Sequence, residues 1–115
     1  MKTPLCELLN IEYPIIQGAM ARITYGKFAA AVSNAGALGI IRCGFSTPEN
    51  MREEIRICKS LTDKPFGANI ILVNRNADKI ADVIIEEKVP VCTLSAGNPA
   101  PFVTKLSEAG VKVFV

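Results

Sequence analysis

Short apolar runs alternate with longer amphipathic stretches along this chain, at about 25 residues per repeat, and no other feature constrains the fold as much. The runs lack the alternation of apolar and polar residues that half-exposed strands show, so they suit strands buried on both faces. The pattern therefore predicts an α/β fold made of parallel βα units. The five predicted strands are Ile15–Gln17, Leu38–Ile41, Phe66–Val73, Val91–Leu94 and Lys112–Val115.

The stretches between these runs carry the signals of four helices. Ser46-Thr47-Pro48-Glu49 is typical of a helix start, and Gly36 and Gly110 are typical of helix ends. The helices are predicted at Tyr25–Asn34, from Ser46 to before Lys64-Pro65, at Ala77–Glu87 and after Pro99. The residues expected to face the core are Phe28, Ala29, Ala31, Val32, Met51, Ile55, Cys58, Leu61, Ile80, Val83, Ile84, Phe102, Val103 and Leu106, with Asp78, Asp82 and Glu86 outward.

Four βα units and a fifth strand that stops at Val115 predict about the first half of a TIM-type (β/α)₈ barrel, a fold that typically needs about 250 residues. We expect residues 1–115 to be the N-terminal portion of a single barrel domain, truncated in the fifth strand. A free-standing doubly wound sheet is the alternative. It is disfavoured because no Gly-x-Gly-x-x-Gly follows the first strand and the last strand would lack a covering helix.

The composition limits the classes of partner that the chain is expected to bind. The 115 residues are 50% hydrophobic, which is enough for a compact core, and 13 basic against 11 acidic side chains leave a net charge of +2. This charge creates no broad field to hold nucleic acid or an anionic membrane. Only 6% of the residues are aromatic, and no run approaches the roughly 20 apolar residues of a membrane span. We expect neither nucleic acid nor membrane as a partner.

The cysteines do not form a recognisable site. Cys6, Cys43, Cys58 and Cys92 are far apart in sequence, and the chain has no His, so neither zinc-ligand spacing nor a disulfide framework is visible. Buried thiols in the reducing cytoplasm are the prediction. Without a His to activate a thiol, no catalytic residue and no metal ligand is assigned.

The candidate ligand-binding residues lie after the predicted strands, because parallel barrels bind ligands at the carboxyl ends of their strands. Gly18 has no side chain and Ala19 only a methyl group, so a flat ligand can approach the backbone there. An ordinary tight turn after a core strand explains the same residues. Met20 offers a soft apolar contact for a ring, although Met more often fills gaps in a core.

Asn69 is an amide inside an otherwise apolar strand, and a buried amide without partners costs about 1–3 kcal/mol. Its side chain both donates and accepts, which suits the edge of a heterocycle that carries C=O and N–H groups together. The alternative is a hydrogen bond to neighbouring backbone. The residues alone leave these two interpretations open.

Four segments in order resemble the superfamily of nitronate monooxygenases and flavin-dependent enoyl-acyl-carrier-protein reductases. They are Tyr13-Pro14-Ile15-Ile16-Gln17-Gly18-Ala19-Met20, residues 30–41 (AAVSNAGALGII), Lys64-Pro65-Phe66-Gly67-Ala68-Asn69-Ile70 and Ala96-Gly97-Asn98-Pro99. The resemblance implies an FMN-binding (β/α)₈ barrel. It matches Gly18, Ala19 and Met20 to the segment that meets the flavin, and Asn69 to the amide that binds its ring or ribityl region.

The resemblance also implies two activities. In one branch NADH or NADPH reduces FMN, which then reduces the double bond of an enoyl thioester on acyl carrier protein. In the other branch reduced flavin and oxygen oxidise alkyl nitronates. Gln17-Gly18-Ala19-Met20 and Ser95-Ala96-Gly97-Asn98-Pro99 are more similar to the reductase branch.

Two departures from the family qualify these expectations. Arg42-Cys43-Gly44 stands where relatives are often Gly-rich, and the family's catalytic His and phosphate-binding loops belong to the second half of the barrel. We therefore expect the 115-residue chain alone to bind FMN weakly or not at all. A third hypothesis is a catalytically silent truncated or split product, whose open sheet edges favour self-association or pairing with a second half-barrel.

Overall fold

The computed structural model describes residues 2–115. Four strands pair in parallel in the order β1-β2-β3-β4, so neighbours in the sheet are also neighbours in sequence. A doubly wound sheet reverses its order partway, whereas a barrel does not. The predicted parallel α/β fold is confirmed. Its elements are α1 (Pro4–Leu9), α2 (Gly26–Asn34), β1 (Gly39–Ile41), α3 (Pro48–Leu61), β2 (Phe66–Ile71), α4 (Ala77–Glu86), β3 (Val91–Ser95), α5 (Ala100–Glu108) and β4 (Lys112–Phe114).

The first predicted strand is shorter and more exposed than the sequence suggests. Only Ile16 pairs, in a single parallel bridge to Leu38 beside β1, and Ile15 is 57% exposed. The prediction of a strand buried on both faces is therefore wrong for Ile15–Gln17. The physical reason is one-sided support: β1 lies along one edge of this segment, and no strand among residues 2–115 lies along the other.

The two faces of the sheet pack against different partners. On the outer face, strand residues such as Ile41, Ala68 and Ile70 pack against α2–α5 in the larger hydrophobic cluster. On the inner face, Leu38, Ile40 and Val91 pack against Cys6 and Leu9 of α1. Helix α1 therefore covers the inner face. Because Phe66, Val91 and Lys112 near the amino ends of their strands line a cavity of about 560 Å³ together with Leu9, α1 lies toward that end.

Helix α1 was not predicted, although its signals are visible in the sequence. The Thr3 hydroxyl accepts a hydrogen bond from Cys6 N (3.3 Å), and Pro4 occupies the first turn. Asn10 ends the helix in the left-handed conformation with φ 56°. At six residues the helix is too short for its periodicity to stand out, and its stability depends on packing.

Several residues expected in the core lie at the surface. In α2 the buried residues are small, including Ala29 and Ala30, while Phe28 is 39% exposed. The reason is close approach, since a Cβ on Gly39 of β1 would lie 2.7 Å from the Ala29 carbonyl carbon. Ala31 of the same helix is also exposed. In α3, Leu61 in the last turn is 49% exposed.

The outer helices are joined by ion pairs across their exposed faces. Arg52 of α3 contacts Glu86 (2.5 Å) and Glu87 (2.6 Å), and Lys105 of α5 contacts Asp82 (2.7 Å). The acidic residues of α4 thus point outward, as predicted. Such exposed pairs each contribute little, at about 0–1 kcal/mol, so the apolar clusters carry most of the stability.

Candidate functional site

The segment before Gly18 is held by the single parallel bridge of Ile16 to Leu38 and by a side chain. Gln17 Oε1 accepts a hydrogen bond from Ile40 N (2.9 Å), and Gln17 Nε2 donates to Gly18 O and to Ile40 O (3.4 Å). The Gln17 amide therefore substitutes for a peptide group beside β1. This contact fixes the position at which Gly18 leaves the sheet.

Gly18 has no structural need to be glycine within this chain. Its φ is not among the positive values, and an added Cβ would meet nothing within 4 Å. Glycines in tight turns usually supply a positive φ or a close approach, and Gly18 supplies neither. The tight-turn interpretation therefore loses its physical basis, and open space above the backbone is what a ligand in contact with it requires.

Thr24 closes the loop that follows Gly18. This residue is fully buried, and its hydroxyl accepts from Met20 N (2.9 Å) and donates to Met20 O (3.2 Å). The Met20 backbone is therefore fixed while its side chain stays 43% exposed. Ala19 is also exposed. The structure thus presents the predicted segment at the surface, with Met20 available to a ligand rather than filling the core.

Asn69 lies on the inner face, two residues after Gly67, whose added Cβ would lie 2.7 Å from Ile40. It is 8% exposed, and its Nδ2 donates to Thr93 Oγ1 (2.8 Å) and Thr93 O (3.2 Å) on β3. No group of residues 2–115 donates to its Oδ1. The donor side therefore binds neighbouring protein, as one of the two interpretations expected, and the acceptor side remains available, so the role of Asn69 in ligand binding stays a prediction.

The loop after β1 is fixed by a buried amide. Asn74 is 6% exposed, and its Nδ2 donates to Gly44 O and Ser46 O, each at 3.1 Å, and contacts Cys43 Sγ at 3.8 Å. Asn74 lies in the turn after β2, because that strand ends at Ile71 rather than at Val73 as predicted. Asn74 therefore joins two loops at the carboxyl end of the sheet.

Arg42 is the first residue after β1 and contacts both neighbouring loops. Its backbone N–H donates to Thr24 O (2.8 Å). Its side-chain Nη1 donates to Cys43 O and Ser46 Oγ, each at 2.8 Å. The guanidinium lies over the Tyr25 ring, 4.3 Å from the centroid. Nε is buried without a hydrogen-bond partner among residues 2–115.

The loop after β3 is fixed by backbone conformation. Ala96 and Gly97 have φ of 57° and 157°, and Leu72 N donates to Ser95 O (2.8 Å). A Cβ on Gly97 would lie 2.6 Å from Leu72 Cβ. The loop therefore lies directly against the one after β2, and Gly97 is explained by packing within the chain.

All four cysteines are buried, as predicted. Burial raises the pKa of Cys92 and of Cys58 to about 12, and burial also raises the pKa of Cys43. These three thiols stay protonated at neutral pH, which argues against a thiolate nucleophile at this end of the sheet. Among residues 2–115 no group of three potential metal ligands is found, and no helix is long and apolar enough to span a membrane.

The structure places the predicted residues at one end of the sheet. Gly18, Ala19 and Met20 follow the segment beside β1, and Asn69 lies on the inner face near the carboxyl end of β2. Sequence reasoning missed the side chains that position these loops, namely Gln17, Thr24, Arg42 and Asn74. A signal existed for each, since every one is a polar residue next to a predicted strand or loop, but their partners lie up to 31 residues away.

Replacing Asn74 by Ala is expected to expose Cys43. Loss of the amide leaves the Gly44 and Ser46 carbonyls without their donor and opens a gap beside Cys43 Sγ, which is now fully buried. Labelling with a thiol reagent, followed by peptide mass spectrometry, should show Cys43 reacting at least about tenfold faster, as a local opening easier by about 1.4 kcal/mol requires.

Cys58, on the buried face of α3, is the internal control and should label at the parent rate. Asn98→Ala is the matched control substitution, because Asn98 is exposed and its side chain only accepts from Ala100 N. Equal Cys43 rates in the parent chain and in Asn74→Ala would contradict the role of Asn74 in holding the loop.

These features define a parallel α/β chain with a small-residue loop, an inner-face amide and fixed loops at the carboxyl end of its sheet. The family model described as nitronate monooxygenase matches residues 2–114, and the chain belongs to this family. The family and its FabK-type neighbours are FMN-dependent oxidoreductases.

Particular relatives refine this placement. FabK from Thermotoga maritima is 50% identical with a TM-score of 0.95 over 98% of this chain and 36% of its own. Nitroalkane oxidase from Streptomyces ansochromogenes is 26% identical with a TM-score of 0.81, over 96% of this chain and 41% of its own. Both are TIM-barrel enzymes. The parallel βα units described above thus have the fold of about the first half of a TIM-type barrel.

Curated relatives give the same family with different names. A Mycobacterium tuberculosis protein named (3aS,4S,5R,7aS)-5-hydroxy-7a-methyl-1-oxo-octahydro-1H-indene-4-carboxyl-CoA dehydrogenase is 34% identical over 98% of this chain and 32% of its own length. A probable nitronate monooxygenase from Staphylococcus haemolyticus is 44% identical over 59% of this chain and 19% of its own length. The chain spans about a third of the length of the first of these relatives.

Proposed function

We propose that this chain forms the flavin-facing part of an FMN-dependent enoyl-acyl-carrier-protein reductase, in which NADH or NADPH supplies the electrons. The observation that carries the proposal is Gly18, whose backbone is open to a ligand and which has no other reason to be glycine. The 50% identity to FabK, an enoyl-ACP reductase, over nearly the whole chain supports this branch.

The residues present suit a flavin ring. Gly18 and Ala19 leave the backbone uncovered, Met20 offers a half-exposed thioether, and Asn69 Oδ1 is an acceptor without a donor. A flavin supplies an N–H group to such an acceptor, together with a flat apolar face for the loop. When bound, FMN supplies hydride transfer; these residues bind and orient its ring and exclude water from one face.

Residues 1–115 are accordingly proposed to be the N-terminal portion of one FMN-binding barrel domain. The chain contains no His and no residue to which a catalytic role is assigned. The predicted weak FMN binding of the isolated chain, its self-association or pairing with a second half-barrel, and its cytoplasmic location stay predictions. The enoyl substrate, free or bound to acyl carrier protein, is part of the proposal.

Nitronate monooxygenase activity is the second candidate. The matched family model and the 40–44% identity to probable nitronate monooxygenases from two Staphylococcus species favour it. These matches cover 59–66% of this chain, less than the FabK match. The loop residues discussed above serve either activity, because both need the same flavin face.

The two activities are separated by assaying the full-length product of the gene that encodes residues 1–115. We expect NADH or NADPH oxidation that depends on a crotonyl thioester, with little oxygen uptake on propionate 3-nitronate. The reverse result would establish the second candidate. Titration of the isolated 115-residue chain with FMN is the companion measurement: tight, stoichiometric binding would overturn the expectation of weak binding, and a gene product inactive in both assays would support the silent or split hypothesis.

A further inference from the structure

One edge of the Arg42 guanidinium is used within the chain and the other is not. Nη1 donates to Cys43 O and Ser46 Oγ, each at 2.8 Å. The opposite edge carries the Nε–H and one Nη2–H, which point in nearly the same direction because the group is planar. Neither nitrogen donates to an acceptor among residues 2–115, and Nε is buried. Nη2 is not enclosed in the same way.

The charge of Arg42 is also uncompensated. Arg52 and Arg56 have carboxylate partners within 4.0 Å, whereas no carboxylate of residues 2–115 lies that close to Arg42. A partly buried cation that has no counter-ion and carries a buried donor without an acceptor is an arrangement that an anionic ligand completes.

The orientation of the group is fixed before any ligand binds. The guanidinium lies over the Tyr25 ring, and Asn74 holds the carbonyls on both sides of Phe45 in the loop that Arg42 begins. Ile41 and Ala68 are the last registered pair of β1 and β2. Arg42 and Asn69 are the residues that directly follow them. The unused edge is therefore a rigid pair of donors at the carboxyl end of β1, next to the strand that contains Asn69.

We propose that Arg42 binds a phosphate group of an incoming substrate through its Nε and Nη2 donors. Two parallel N–H···O bonds from one guanidinium match two oxygens of a phosphate, which a lysine cannot reproduce. The inference rests on the proposed function, because its substrates supply the phosphate: the nicotinamide nucleotide, or the phosphopantetheine carrier of the thioester. The CoA in the name of the Mycobacterium tuberculosis relative shows such a carrier within the family.

The first test needs no flavin and uses the 115-residue chain. The Nε–H signal of Arg42 is followed by ¹⁵N NMR during titration with inorganic pyrophosphate, and with sodium chloride at matched ionic strength. We expect a saturable shift with pyrophosphate alone. Arg75→Gln, in the exposed turn after β2, is the matched control and should leave the shift unchanged. An equal, unsaturable drift with both salts would overturn the proposal.

The second test identifies the source of the phosphate in the full-length gene product. Arg42→Met should raise one KM about tenfold or more, as loss of a charge-assisted pair predicts, with kcat changed less than about twofold. A rise for NADH and NADPH assigns the nucleotide, and a rise for crotonyl-CoA but not for crotonyl-N-acetylcysteamine assigns the carrier.

Arg42→Lys separates a binding role from a merely structural one. Lysine keeps the charge but not the donor pair, so it should restore only part of the affinity. An Arg42→Met protein with all KM values unchanged would overturn the proposal. A full-length product without reductase activity would overturn the proposed function instead, and the pyrophosphate titration would still decide the role of Arg42.

Discussion

Gly39→Ala is expected to unfold most of the chain at a denaturant concentration that leaves the parent folded. The added methyl group would overlap the Ala29 carbonyl oxygen and lie 2.7 Å from its carbon and 2.8 Å from its Cα. These are backbone atoms of α2, so no side-chain rotation relieves the overlap, and α2 must move away from β1. We expect a loss of about 3 kcal/mol or more, at the upper end of overpacking effects.

Urea denaturation followed by circular dichroism measures this loss. For a chain of this size, about 3 kcal/mol is a large fraction of the total stability and lowers Tm by roughly 10–20 °C. Gly18→Ala is the matched control, because the same methyl group at Gly18 meets nothing within 4 Å and should change stability by less than about 0.5 kcal/mol. If Gly39→Ala were as stable as Gly18→Ala, α2 and β1 would not be packed as described.

Gly18→Leu is expected to abolish tight flavin binding without loss of stability. The leucine side chain has open space in the chain alone, so it costs the fold little, but it occupies the space in which the ring is proposed to lie. A leucine side chain would push the ring away from the backbone, so the ring would lose its backbone contacts. We expect FMN affinity in the full-length gene product to fall by about 100-fold or more, about 2.7 kcal/mol.

The measurement is quenching of FMN fluorescence on binding, beside a thermal melt of the flavin-free protein. Gly18→Ala should give an intermediate affinity, because its methyl group fills only part of the space. Ala21→Leu is the positional control, since Ala21 is exposed in the same loop and is not proposed to contact the ring. Parent-like FMN affinity in Gly18→Leu would remove the flavin from this loop and with it the main support for the proposed function.

The fold was predictable from sequence where local signals decide it. The four helices α2–α5 and the strands β1–β4 fall within a few residues of their predicted bounds, because continuous apolar runs and helix caps such as Thr47 act over short distances. Ile15–Gln17 was overpredicted because pairing depends on neighbours on both sides. Phe28 was misplaced because the close approach of Gly39 to α2 cannot be read from the periodicity of α2 alone.

The candidate site was predictable only in part. Gly18, Ala19 and Met20 are predicted from their place after a strand, Asn69 from its place inside an apolar strand, and all four from family resemblance. The polar side chains that hold them were not predicted. Some of their contacts join residues distant in sequence, such as Asn74 with Gly44 and Gln17 with Ile40, and the local contacts of Thr24 and Arg42 depend on the path of their loops. No sequence pattern indicates that Arg42 would have one used and one unused edge, since this depends on the path of a whole loop.

Helix α1 has a consequence for how ligands come and go. It covers the inner face toward the amino ends of the strands, so a molecule proposed to bind near Asn69 is expected to enter and leave at the carboxyl ends. Thr24 and Asn74 fix loops at that end, and we therefore expect substitutions at these two residues, more than substitutions in α1, to change the rate at which such a molecule dissociates.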